Sequence, residues 1–244
     1  MNMSQEFREP IMDPALRPQI LKFLMWRNDH YKDYVRVEAR VYADEEEQAA
    51  MELCHDKCVD ILDDFMGSIA LKGNVRALDV AGGDARVASS RVMRTYKLID
   101  LFDQCSVAVQ KAMIAMKSLK NCGKIVQSSM QTFQWAKSYS AIFMVWCSGY
   151  LNDVPLKQFL QDAQMHLLPN RIRVSRHSPP ESFIILLDNI RNELEEPFKN
   201  KGQWLRSQKE LESLFTKAGL IIFKRSSKIE MPNEYRDIMI WALY

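Results

Sequence analysis

The chain has 244 residues, 47% of them hydrophobic and 26% charged, with a net charge of +2. That length serves one large domain with its own core, and the near-neutral charge leaves no basic footprint of a nucleic-acid binder. No apolar run reaches the length of a membrane span; the longest, residues 140–147, suits a buried strand. The opening MNMSQEFREPIMDP carries acids and no apolar stretch of the secretory kind. Five cysteines, an odd number, fit reduced thiols in an intracellular setting, whether cytoplasmic, nuclear or mitochondrial. Cys54 and Cys58 frame a short His-Asp-Lys run but share one helical face and have no second ligand pair downstream. They read as core residues, and no metal is expected.

In chain order, residues 1–70 read as a helical extension and 71–244 as the main domain. Residues 19–42 mix aromatics with charge, as a helix or a loose arm. The span 45–65 repeats Met51, Cys54, Cys58, Ile61, Leu62 and Phe65 at helical spacing, behind a Glu45–Glu47 cluster suited to a helix N-terminus. From residue 75 strands and helices alternate. Strands are expected at 75–80, 97–102, 124–127, 141–146, 182–187, 220–226 and 238–243. Helices are expected at 85–95, 106–119, 155–168 and 208–218, the last closed by Gly219. This alternation predicts a doubly wound α/β fold with a mostly parallel seven-stranded sheet. The last two strands, broken by Met231-Pro232-Asn233-Glu234 and joined without a helix, predict an antiparallel edge.

The chemistry-bearing stretch is Leu78-Asp79-Val80-Ala81-Gly82-Gly83-Asp84-Ala85-Arg86-Val87. A strand that ends in a small-residue turn before a helix lets the backbone approach a ligand closely. A second acid, Asp103, closes the next strand 24 positions after Asp79. That is the interval of a ribose-binding carboxylate in a nucleotide-binding βαβ unit. These residues alone leave a dinucleotide and S-adenosylmethionine both open as the ligand.

The same stretch resembles the glycine-rich loop of S-adenosylmethionine-dependent methyltransferases, in particular the protein α-N-terminal (Xaa-Pro-Lys) methyltransferases. The likeness continues in order through Ile99-Asp100-Leu101-Phe102-Asp103, Ser129-Met130-Gln131, the run from Met144 to Asp153, His166 to Asn170, and Leu187-Asp188-Asn189. It implies the Rossmann-like class I methyltransferase fold and S-adenosylmethionine as cofactor. Asp79, Ala81, Gly82, Gly83, Arg86, Asp103, Met130, Gln131 and Val145 would be the residues around it. Arg86 would meet the cofactor's carboxylate, Asp103 its ribose, and Met130 and Gln131 its adenine. Asp188, Asn189 and Tyr150 would face the methyl acceptor, a protein or peptide N-terminal amine.

The chain departs from the family's pattern at several of these positions. Ala81 and Ala85 stand where glycines are usual, and Ala81 is a mild change provided its φ stays negative. Asp84 is an acid at a usually apolar position, able to repel the cofactor's carboxylate or to pair with Arg86. Tyr150 replaces a histidine, and its ordinary pKa near 10 makes it a poor base at neutral pH. Trp146 reads as core packing. Lysine and glycine fall near the positions of the family's substrate-binding acids, the glycine-rich substrate loop is missing from residues 26–50, and a basic segment, 171–181, lengthens the approach to the fifth strand. The retained residues therefore support an active methyltransferase or a module holding the cofactor as a structural ligand. The departures support an alternative, an inactive methyltransferase-fold subunit that scaffolds a larger assembly. An Arg86–Asp84 pair across a narrowed loop is the feature that would favour the scaffold.

Overall fold

A computed structural model describes residues 45–69, 75–169, 180–195, 199–200, 203–231 and 236–244. The expected arm at 19–42, most of the basic segment 171–181 and most of the 231–234 break lie outside the described residues. The chain divides into two compact units, 1–49 and 50–244, and the second holds all that follows apart from the first residues of α1.

Helix α1 (Glu45–Gly67) begins at the expected glutamates. Cys58, Leu62 and Phe65, four and three residues apart, are buried with Ile69 against the sheet. Cys58 is thus a core residue, and no group of His, Cys, Asp and Glu suited to a metal occurs among the described residues.

The strands are β1 (Arg76–Val80), β2 (Leu98–Asp103), β3 (Cys122–Gln127), β4 (Ala141–Val145) and β5 (Phe183–Arg191). The short β6 (Lys199–Asn200), β7 (Gln203–Trp204) and β8 (Arg206–Ser207) follow, then β9 (Ile222–Arg225) and β10 (Ile238–Leu243). The remaining helices are α2 (Ser106–Met116), α3 (Asp153–Met165) and α4 (Gln208–Ala218). The sheet runs β3-β2-β1-β4-β5-β10-β9, with β8 paired to β5. β1 to β5 are parallel, and β10 is antiparallel to both β5 and β9. The chain winds outward in opposite directions from β1 and β4, which makes their carboxyl ends the crevice where ligands of open α/β sheets collect.

Side chains alternate across this sheet. Leu78, Val80, Ile142, Met144, Ile184 and Leu186 form one core with residues of α3 and α4. Ala77, Leu101, Phe143, Ile185 and Leu187 form another with residues of α1 and α2. α4 starts at a reciprocal capping box between Ser207 and Glu210 and ends at left-handed Gly219 (φ 86°), the close expected from the sequence.

One expected helix is not formed. Residues 83–90 run as turns, and only Arg91–Thr95 closes into a 3-10 helix. Left-handed Ala85 (φ 70°) cannot start an α-helix. Val87 and Val92 crowd their χ1 angles, and Ser89-Ser90 offers hydroxyls that compete with helical bonding. The sequence pattern does not predict the strands of residues 199–207. They are two residues each and carry no periodic signal.

Candidate functional site

The loop after β1 is drawn onto the end of β2 by two hydrogen bonds. Gly82 N–H donates to Phe102 O at 3.1 Å, and Gly83 N–H donates to Asp103 Oδ2 at 3.0 Å. Asp103 Oδ1 accepts Cys105 N–H at 2.7 Å, fixing the carboxylate at the mouth of the crevice. Gly82 has no room for a side chain: a Cβ there would lie 2.7 Å from Leu101 Cδ1 and 2.8 Å from Asp79 Oδ2. Gly83 (φ 55°) is the opposite case, since a Cβ would meet nothing within 4 Å, so the backbone there borders open space.

Ala81 (φ 50°) and Ala85 (φ 70°) are both left-handed. The condition under which Ala81 is a mild change, a negative φ, is not met: the loop holds its path and the alanines take the strain. Arg86 and Asp84 do pair, the guanidinium Nε lying 3.3 and 3.2 Å from the two carboxylate oxygens. Both side chains remain about a third exposed. The pair occupies Nε and leaves the two terminal nitrogens of the guanidinium without a hydrogen bond among the described residues. With open space beside Gly83, the loop is not closed.

Asp79 is buried beneath this loop. Its Oδ2 accepts Ala88 N–H at 3.0 Å. Burial, partly offset by that bond and reinforced by nearby Asp103, raises its pKa to about 7. Asp103 is also raised, chiefly by burial and against the N–H groups of Cys105 and Gly83. The thiol of Cys147 sits among them, pushed well above its usual value by burial and then by Asp188, Asp79 and Asp103.

At the end of β4, Trp146 is itself left-handed (φ 52°), and the chain passes into a 3-10 turn, Ser148–Tyr150. Such values in bulky residues cluster where structure is constrained around a site. Trp146 packs against the second core but is only partly buried, so core packing describes half of it. The turn is held from two sides. Asp188 Oδ2 accepts Ser148 N–H (3.0 Å) and Ser148 Oγ–H (2.5 Å), while Oδ1 accepts Asn189 N–H (2.8 Å). Burial raises the Asp188 pKa, with the bonds from Ser148 and Asn189 opposing. From the other side Arg206 donates to Ser148 O (3.1 Å) and Leu151 O (2.6 Å), and pairs with Asp153 (2.9 Å).

The expected site residues are thus distributed. Asp79, Gly82, Gly83, Arg86 and Asp103 gather at the loop. By strand alternation Asp79, Val145 and Asn189 belong to the α1–α2 face, whereas Asp188 points to the α3–α4 face with Cys147 and Leu151. Tyr150 is half-buried against that same core. Met130 is buried in it and Gln131 beside it is exposed. Beyond the turn lies a cavity of about 420 Å³ bordered by Asn152, Asp153, Trp204, Arg206 and Glu210. Arg206 was missed. The signal that bears on it is the Ser207…Glu210 capping pattern, which fixes a helix start immediately after it.

These residues fit an adenosyl amino acid. Each Asp103 oxygen accepts one N–H and keeps lone-pair capacity for a hydroxyl, the terminal nitrogens of Arg86 suit a carboxylate, and Gly83 leaves room beside the backbone.

Comparison with known proteins agrees. A family model described as AdoMet dependent proline di-methyltransferase matches residues 59–244. Alpha N-terminal protein methyltransferase 1 of Dictyostelium discoideum is 26% identical over 171 residues, which cover 68% of this chain and 58% of that one. The chain therefore spans less than two thirds of that relative. N-terminal Xaa-Pro-Lys N-methyltransferase 1-B of Xenopus laevis is 25% identical over 70% of this chain and 73% of its own. Among solved structures, a SAM-dependent methyltransferase from Leishmania major superposes with a TM-score of 0.72 at 21% identity, covering 90% of this chain and 83% of that one. A glycopeptide N-methyltransferase complexed with S-adenosylmethionine gives a TM-score of 0.58 at 10% identity, over 76% of this chain and 92% of its own. Both show the class I methyltransferase fold.

Proposed function

Since the chain belongs to the AdoMet-dependent proline di-methyltransferase family, we propose that it transfers methyl groups from S-adenosylmethionine to a protein or peptide N-terminal amine. One observation carries the reading: Asp103 and Arg86 flank a left-handed loop, with open space at Gly83, at the sheet's switch point. The two named relatives act on protein N-termini by their names, and the carboxyl-end residues of this chain suit that work.

The cofactor supplies an electrophilic methyl group on sulfur. Asp103 holds the ribose hydroxyls, Arg86 meets the carboxylate through its terminal nitrogens, and Met130 and Gln131 border the adenine. Gly82 keeps the loop tight against Asp79 so that Gly83 faces the ligand. The acceptor amine must be neutral and in line with the methyl group, and an α-amino group with pKa near 8 is largely so at mildly alkaline pH. Orientation is therefore the larger task. Asn189 offers a side-chain amide on the loop's side of the sheet. Asp188, with both oxygens engaged, acts through the Ser148–Tyr150 turn and places the Tyr150 hydroxyl without serving as a base. The peptide beyond the amine rests in the cavity between Asp153, Trp204 and Glu210.

The test is incubation with labelled S-adenosylmethionine and peptides beginning Xaa-Pro-Lys, free or acetylated at the N-terminus, read by mass spectrometry. Methyl gain confined to the free peptide, and lost in Asp103→Ala, is the expected result. Cofactor binding without methyl gain on any N-terminus would remove the catalytic reading and restore the scaffold.

A further inference from the structure

The Asp84–Arg86 pair has a bearing on which ligands the loop selects. A guanidinium recognises a carboxylate best as a planar fork, two N–H donors to two oxygens. Its side-on fork uses Nε with one terminal nitrogen. Here Nε already donates to both oxygens of Asp84, at 3.3 and 3.2 Å. A ligand carboxylate is left with the end-on fork alone, and on arrival there it becomes the second anion on one cation. Left-handed Ala85, between the two partners, folds Arg86 back onto Asp84. Both side chains stay partly exposed, so the pair can be exchanged for an outside ligand.

We propose that Asp84 is an internal competitor for Arg86, so that this site reads the amino-acid carboxylate of its adenosyl ligand weakly and binds carboxylate-free adenosyl thioethers with comparable affinity. The inference rests on the reading that S-adenosylmethionine lies along residues 81–86. It makes Asp84 a specificity-determining residue and 5′-methylthioadenosine, which has the nucleoside and sulfur but no amino-acid end, a ligand of the same site.

The test is isothermal titration of S-adenosylmethionine, S-adenosylhomocysteine and 5′-methylthioadenosine into the full chain, as wild type, Asp84→Asn and the double variant Asp84→Asn/Arg86→Ala. Asp84→Asn keeps size and polarity and removes only the charge. The expected result is a gain of about three- to tenfold for the two carboxylate-bearing ligands, the range of a partly exposed ion pair plus a like-charge contact. 5′-Methylthioadenosine should change by less than about twofold, and the double variant should lose the gain. Equal tightening of all three ligands would overturn the proposal, since Asp84 would then control loop opening. Weaker binding of S-adenosylmethionine in Asp84→Asn would also overturn it, with Asp84 holding the ligand's ammonium. If the wild type binds all three and Asp84→Asn changes none, the inference fails while cofactor binding stands. If no form binds any ligand, the cofactor reading itself fails and takes this inference with it.

Discussion

Ala81 and Ala85 carry methyl groups through a backbone region that disfavours them by roughly 1–2 kcal/mol each, and the difference in their surroundings makes them separable. Ala81 is partly exposed, so Ala81→Gly trades that strain against the glycine's entropy and should stabilise the protein by up to about 1 kcal/mol. Ala85 is fully buried, so Ala85→Gly also forfeits about 0.8 kcal/mol of buried methyl and should come out near neutral. Urea unfolding of the two variants checks both values, and a destabilised Ala81→Gly would contradict the strain argument. Asp103 was legible as a candidate from its interval after Asp79, and Arg86 from the resemblance of the loop to the family's. The left-handed alanines were not, because a sequence shows that a glycine is missing and not whether its conformation has survived.

At the scale of elements, the 148–151 turn is held on the side opposite Asp188 by one buried arginine. Arg206 is held by two carbonyls and Asp153, three acceptors in different directions that a lysine cannot span. Arg206→Lys should therefore leave a buried carbonyl unpaired, cost about 1–3 kcal/mol, and lower methyl transfer by letting Tyr150 move. The neighbouring Ser207→Ala removes only the cap of α4, at about 1 kcal/mol, with transfer per folded molecule unchanged. Thermal unfolding and a methylation assay on the two variants give that contrast, and equal transfer in both would remove Arg206 from the positioning of the site. Elements with strong periodicity or firm punctuation were readable, as β10 and the Gly219-closed α4 show. Arg206 was not, because its partners are carbonyls brought to it by the fold. Nor was the loss of the helix after β1, where the deciding facts are the Ala85 conformation and the Asp79–Ala88 bond.

For the whole molecule, the acids under the cofactor loop set a pH dependence. Asp79 is raised from 3.8 to about 7 on folding, so between those values the folded chain holds a proton that the unfolded chain has lost. Stability from this group is full below pH 4 and falls as pH rises toward 7, at up to about 1.4 kcal/mol per pH unit. Asp103 and Asp188, raised in the same direction, add to the fall. Asp79→Asn keeps an acceptor for Ala88 and should flatten the profile. Urea midpoints at pH 5 and pH 8 for wild type and variant measure this, and a wild type more stable at pH 8 would contradict the assignment.

The place of β10 between β5 and β9 also fixes an order of events during synthesis. All six of its residues are buried, and it is the strand that joins β5 to β9. A ribosome that has made everything as far as β9 has made the apolar edge of β5 and the strand β9 with nothing to join them. The nascent chain can assemble β1 to β5 and still present the bare edge of β5 to any other strand in reach. Chaperone demand should therefore rise once the β5 edge is exposed and fall when residues 238–243 pair with it.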